Sequence, residues 1–214
     1  MSEQVLDADA IIARATPLTN QKAHEIQPFG HLVKMPIALP ESVCKESVEN
    51  LNQLLADTIT LRDLYKKHHW QVAGPTFYQL HLLFDKHAEE QLELVDLIAE
   101  RVQSLGGIAV GDPRHAAELT TIPRPPDGAE EVAVMIDRTL QAHEITIEKV
   151  RAAITTTEGV EDWGSNDLLM GDVLRRHELQ VWFLAEHVVP VPLVGDDAAG
   201  SGNGQRRGGN SSRS

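Results

Sequence analysis

The residues with the most chemistry to offer stand around one break in the chain. The stretch 68–85, HHWQVAGPTFYQLHLLFD, places His68, His69, His81 and Asp85 on either side of Gly74-Pro75. Asp96 and Glu100 follow, and imidazole with carboxylate is a donor set for a transition-metal ion. Spacing decides whether these groups can meet. A helix turns about 100° and rises about 1.5 Å per residue, so His81 with Asp85, and Asp96 with Glu100, are stacked pairs. Measured from His81, the angles of Asp85, Asp96 and Glu100 are about 40°, 60° and 100°, so all four look the same way. Yet His81 and Asp96 lie about 22 Å apart along the axis, whereas the ligands of one ion converge within a few ångströms. One chain cannot close such a site. A second copy of the helix, antiparallel and related by a two-fold axis near Glu90 and Gln91, sets Asp96 and Glu100 opposite the first chain's His81 and Asp85 and creates two identical sites. His69 lies about as far before the turn as His81 lies after it, so a helical hairpin brings both imidazoles to one height. The opposing reading is a solvated helix face with ordinary ion pairs; it leaves the position of His69 and the two-fold geometry unaccounted for.

The elements that must position these groups are helical. Residues 1–40 carry Pro17, Pro28, Pro36 and Pro40 without sustained periodicity and are expected to form an extended arm. From Glu41, the recurrence of Cys44, Val48, Leu51, Leu55, Thr58 and Tyr65 at steps of three and four predicts a helix to about Val72. Gly74 is expected to supply the turn and Pro75 the first helical position of a second helix. Its stripe runs through Phe77, Leu80, Phe84, Ala88, Val95, Ile98 and Val102 to a stop at Gly106-Gly107. The proline-rich connection that follows has one short helix, opened by Asp112-Pro113. Val132, Met135, Ile136, Leu140, Ile147, Val150 and Ile154 mark helix three. Ser165 or Asn166 is expected to cap helix four, whose stripe is Val173, Leu174, Val181, Leu184 and Val188. The predicted fold is all-α: a four-helix bundle over 41–189 with a long crossover between helices two and three, and a disordered Gly/Ser/Arg tail over 190–214.

Taken together, His69-Trp70, His81, Asp85, Asp96 and Ala99-Glu100-Arg101, followed by Leu105-Gly106-Gly107, resemble the signature of Dps proteins, the ferritin-like DNA-binding proteins from starved cells. The likeness extends more loosely over residues 41–189, including Asn166-Asp167-Leu168-Leu169 and the region of Trp182. Gln71 stands where the family often has Asn, and it touches no proposed ligand. The resemblance implies a ferritin-like bundle and a hollow homo-dodecamer built from two-fold dimers. It also implies ferroxidase sites between two-fold partners, oxidation of Fe(II) preferably by hydrogen peroxide, and storage of Fe(III) as ferric oxide inside. His69, His81 and Asp85 would come from one subunit and Asp96 and Glu100 from its mate. It further implies a cation pore at a three-fold axis, for which Asp162 and Asp167 are candidates; helix capping is the equal alternative for both. Some members hold a second metal in the N-terminal arm, which here points to His24 and His31, with iron or zinc as the ion.

Other residues have plainer readings. His68 is expected beside the site rather than in it, and His87 is expected to face solvent or a partner. His143 and His177 fall on core stripes as hydrogen-bonded core histidines, His177 being also a secondary candidate for a metal contact. Trp70, Trp163 and Trp182 are expected to be packing residues, with Trp70 placed to quench a stray radical beside iron.

Composition narrows the field. A formal net charge of −13 opposes docking on phosphate backbones or anionic lipid and attracts cations. The tails are not polybasic: Arg206, Arg207 and Arg213 face Asp196 and Asp197, and Arg14, Lys22 and Lys34 face Glu3, Asp7, Asp9 and Glu25. DNA binding is therefore expected to be weak or absent. The lone Cys44 excludes an internal disulfide. The absence of a leader and of any long apolar run leads to the expectation of a soluble cytoplasmic protein. Neither the Glu-x-x-His pairs of a di-iron centre inside one bundle nor the H-E-x-x-H of a zinc hydrolase occurs. A non-catalytic shell or nucleoid-associated protein with structural zinc at the dimer interface is the alternative function.

Overall fold

A computed structural model describes residues 25–189. Helix α1 (Glu41–Gln71) and helix α2 (Phe77–Ser104) form an antiparallel hairpin. A long crossover carrying the short α3 (Pro113–Leu119) leads to α4 (Val132–Gly159). The fourth position of the bundle is composite: α5 (Trp163–Leu168), a π-helical stretch (Leu169–Leu174) and α6 (Arg175–Ala185). No strand occurs among the described residues, and the expected all-α bundle with its crossover helix is what forms.

The hairpin turn depends on Gly74, whose φ of +95° lies in the left-handed region open to glycine. Phe77 N–H donates to the Gly74 carbonyl at 3.0 Å and Leu80 N–H to that of Thr76 at 3.1 Å. Helix α2 therefore begins at Phe77, and Pro75 lies in the turn rather than at the first helical position. At the far end Gly106 stops α2 with φ +86°, and a β-carbon there would fall 1.9 Å from the Val33 carbonyl oxygen. That close approach lets Val33 N–H donate to the Gly106 carbonyl at 2.8 Å, which ties the arm to the bundle.

Two buried α1 side chains hold the crossover against the bundle. The Asn52 amide donates to the Ile108 carbonyl at 3.0 Å and accepts from Val110 N–H at 3.0 Å. The Asp57 carboxylate accepts from Thr121 N–H at 2.6 Å and from the Thr120 hydroxyl at 2.8 Å. Helix α3 starts as predicted, with Asp112 accepting from Arg114 N–H at 2.9 Å and Pro113 in the first position. Helix α5 does not. Its cap is Asp162, which accepts from Ser165 N–H at 3.1 Å. Ser165 turns its hydroxyl back to Asp162, and Asn166 donates to the Ile154 carbonyl, so neither caps the helix.

The core has two parts. One, around Leu51, Leu55, Leu94, Ile98, Val102 and Val173, is aliphatic. The other, around Leu61, Leu80, Phe84, Met135 and Leu184, includes Tyr65 and surrounds buried histidines. Each fully buried side chain of this size stabilises the fold by about 1.5–3 kcal/mol. Among the described residues no helix is long and apolar enough to cross a membrane.

Candidate metal centre

At the hairpin end the backbone fixes two imidazoles. His69 Nδ1 donates to the His81 carbonyl at 2.8 Å, and His81 Nδ1 donates to the His69 carbonyl at 2.9 Å. The rings stack with centroids 3.8 Å apart. A carbonyl only accepts, so each Nδ1 must carry its proton. Each Nε2 of the neutral ring then keeps its lone pair, the form in which imidazole binds a metal. The twelve-residue spacing across the Gly74 turn makes this reciprocal clamp possible.

Asp85 lies one turn after His81, its Oδ1 3.9 Å from His69 Nδ1. Its carboxylate is ion-paired with Lys66, and the Lys66 hydrogen bond holds its pKa below the usual carboxylate range. Lys66 is the neighbour that sequence reasoning missed, although it sits three residues before His69 on one face of α1. Its ammonium stands where a cation bound by Asp85 would compete.

Asp96 and Glu100 are exposed on α2 and have no ion pair or side-chain hydrogen bond among the described residues. The structure thus brings His69, His81 and Asp85 together and leaves Asp96 and Glu100 along the same helix. Within one chain, no group of three His, Cys, Asp or Glu side chains among the described residues is arranged to hold a metal ion. The exposed side of α2 also carries Leu82 beside His81 and Leu92 between the two sets, 49% and 53% exposed. At the height expected for a two-fold axis, Gln91 turns inward to Gln180, and Glu89 and Leu92 are the residues that face out. Trp70, Trp163 and Trp182, expected to be packing residues, are likewise exposed in the single chain.

Glu100 is positioned from behind. Its neighbour Arg101 donates to Asp162 at 2.6 Å and to the Ser165 hydroxyl at 2.9 Å, locking this end of α2 to α5. The Ser47 hydroxyl donates to the same carboxylate at 2.6 Å. Burial alone would raise the Asp162 pKa, but the hydrogen bonds from Ser165 and Ser47 and the Arg101 charge outweigh it and hold the pKa down. Asp162 has no exposed surface, which corrects its reading as a pore residue: it caps a helix and pairs with Arg101. Asp167 is exposed.

The remaining candidates separate. His24 lies outside the described residues. His31 is exposed, and its backbone carbonyl accepts from the Gln27 amide at 2.7 Å. His68 and His87, expected near the site or the surface, both turn into the bundle: His68 Nδ1 meets the Thr139 hydroxyl at 3.0 Å, and His87 Nδ1 meets the Tyr65 hydroxyl at 3.2 Å. His87 is three residues from Phe84 and four from Gln91, so the core stripe already contained it. His177 is completely buried, its Nδ1 2.9 Å from His143 Nδ1. It is a core histidine, and the described residues around it do not form a metal-binding group.

The ferritin-like domain family matches residues 48–194. The chain is therefore a ferritin-like protein, the class to which its helical bundle also belongs. An uncharacterised protein from the bpoA2 5′ region of Kitasatospora aureofaciens is 58% identical over 146 residues, 68% of this chain and 97% of that one. A nutrient stress-induced DNA-binding protein of a Nostoc species is 33% identical over 79% of this chain and 91% of its own length. The solved structure of DpsC from Streptomyces coelicolor superposes with a TM-score of 0.79 at 57% identity, covering 80% of this chain and 100% of that one. Within the ferritin-like proteins, this chain belongs to the Dps family.

Proposed function

We propose that the protein is a ferroxidase and iron store whose sites form between two-fold partners. His69, His81 and Asp85 of one subunit face Asp96 and Glu100 of the other. The reciprocal histidine clamp carries this reading, because it directs both Nδ1–H groups to backbone carbonyls and leaves Nε2 as the nitrogen of each ring that can bind an ion. Imidazole and carboxylate accept both ferrous and ferric iron, and five ligands shared by two ions leave positions open for an oxidant. Two Fe(II) each give one electron to one hydrogen peroxide, which takes up two protons and leaves as two waters. The carboxylates neutralise the cations and the histidines fix their positions. In a dodecamer the product would collect as ferric oxide within the shell. The apolar residues beside the carboxylates on the outer face of α2 suit a covered subunit boundary. Asp167 is the remaining candidate for guiding cations inward, and His31 with His24 for a second cation site on the arm. A cytoplasmic location suits Fe(II) as substrate.

The net charge of −13 supports weak DNA binding at most. The Nostoc relative named as DNA-binding makes a low-salt gel shift on full-length protein the appropriate test.

The deciding experiment follows Fe(II) oxidation by peroxide and by oxygen on protein of measured assembly mass. The expected result is peroxide-driven oxidation at about two Fe(II) per peroxide with little hydroxyl radical, greatly slowed in His81→Ala and Asp96→Asn. A stoichiometry near one Fe(II) per peroxide with abundant radical, or a stable monomer, rejects the reading. Bound zinc with no iron oxidation would support the structural-zinc alternative.

A further inference from the structure

Inside the bundle, sharing no residue with the candidate metal centre, four buried side chains from all four helical positions form one hydrogen-bonded chain. His87 Nδ1 lies 3.2 Å from Tyr65 Oη, Tyr65 Oη lies 2.5 Å from His143 Nε2, and His143 Nδ1 lies 2.9 Å from His177 Nδ1. Tyr65, His143 and His177 have no exposed surface, and His87 is 1% exposed. The chain is self-consistent in either direction. If the Tyr65 hydroxyl donates to His143, His143 donates from Nδ1 to His177, whose proton then sits on Nε2. If His177 donates from Nδ1, His143 donates from Nε2 to Tyr65, whose hydroxyl proton passes toward His87. In both cases the chain ends at His177 Nε2, which is buried and has no hydrogen-bond partner. A reversible chain of this kind moves protons, and a core built only for packing would be expected to satisfy or omit that last nitrogen.

We propose that Tyr65 is a redox-active tyrosine: it gives one electron to an oxygen-centred radical and its phenolic proton to His143. The step balances. Tyr65–OH loses an electron and a proton and becomes a neutral tyrosyl radical. Hydroxyl radical, the one-electron product of peroxide, takes the electron and a solvent proton and becomes water. His143 receives the phenolic proton on Nε2 and passes its Nδ1 proton to His177 Nδ1, so the positive charge moves one residue away from the radical. Burial, followed by the nearby Glu90 charge, pushes the Tyr65 pKa well above that of a free phenol. The phenolate is therefore scarce, and electron loss needs a proton acceptor in place. Tyr65 lies one helical turn before His69 on α1, about 6 Å along the axis, which places this sink close to where a peroxide-derived radical would arise. The return step rests on the ferroxidase reading: one further Fe(II) supplies the electron, the proton returns from the histidines, and an odd oxidising equivalent ends as Fe(III).

Assignment is simple because Tyr65 and Tyr78 are the only tyrosines in the sequence. Tyr78 is exposed, so Tyr78→Phe leaves Tyr65 as the sole tyrosine with its surroundings intact. The protein is oxidised without iron by flash-generated ruthenium(III) tris-bipyridyl, and the radical is read by electron paramagnetic resonance. The expected result is a tyrosyl signal in wild type and in Tyr78→Phe that is absent from Tyr65→Phe. Removing the basic acceptor in His143→Gln should slow its formation by about 10²-fold, and heavy water should slow it in Tyr78→Phe. The absence of a tyrosyl signal in Tyr78→Phe, or formation unaffected by His143→Gln, overturns the proposal. Because this arm uses no iron, its outcome is separate from whether the protein oxidises Fe(II). A second arm with Fe(II) and peroxide asks whether added Fe(II) quenches the same signal.

Discussion

At the hairpin end, His69 and His81 place their Nδ1 protons on backbone carbonyls and leave Nε2 available. In the bundle, His143 and His177 direct Nδ1 at each other, and His177 Nε2 has no partner. The first pair is clamped by acceptors that cannot ionise, so each Nδ1 proton is held in place and Nε2 is the nitrogen left open. The second pair is joined to groups that can exchange protons, so its tautomer is free to reverse. Burial widens the difference: it drives His143 well below the ordinary histidine value and His177 from 6.5 down to about 4. One residue type leaves a ring nitrogen open where the backbone clamps it and joins a buried hydrogen-bonded chain where other side chains surround it.

The sharpest way to break the comparison is to remove an outer imidazole. His69→Ala or His81→Ala should lower peroxide-dependent Fe(II) oxidation by at least about 10²-fold while helix content by circular dichroism stays unchanged. Oxidation that survives both substitutions would show that the clamp is not a ligand set.

The inner pair is tested through acid stability. An unfolded chain binds protons on histidine below 6.5, whereas folded His177 takes its proton only near 4. The stabilising contribution is thus fully present above 6.5 and is lost as pH falls toward 4. Within that window the slope approaches about 1.4 kcal/mol per pH unit for one histidine. Denaturant unfolding of wild type and His177→Gln across this range should give a flatter profile for the variant. Identical slopes would mean that burial at His177 does not control its proton.

The smallest effect is expected at Lys66. Its pair with Asp85 is about one-third exposed on each side chain and is worth at most about 1 kcal/mol. Lys66→Ala should therefore tighten anaerobic Fe(II) binding by no more than about fivefold, as measured by titration calorimetry. Weaker binding would assign Lys66 a supporting role instead of a competing one.

The shared face of the candidate donors was legible because helical periodicity is local. His81, Asp85, Asp96 and Glu100 share a face by spacing alone, and the Gly74 turn returns His69 to the level of His81. Asp162 was read only as open to two roles because the decision rests with Arg101, 61 residues away in sequence. His87 was read as exposed because its polarity outweighed its place on a core stripe. The three tryptophans were expected to be packing residues, yet all three are exposed in the single chain.

By itself the sequence determined the four helical segments, their reversal at Gly74 and the set of donors along one side of the hairpin, because a helix orients each side chain by its number. The tertiary structure alone decided which nitrogen of each histidine is available and which carboxylate is already paired. Those properties depend on carbonyls, hydroxyls and charges delivered by other elements, and on the water that packing excludes.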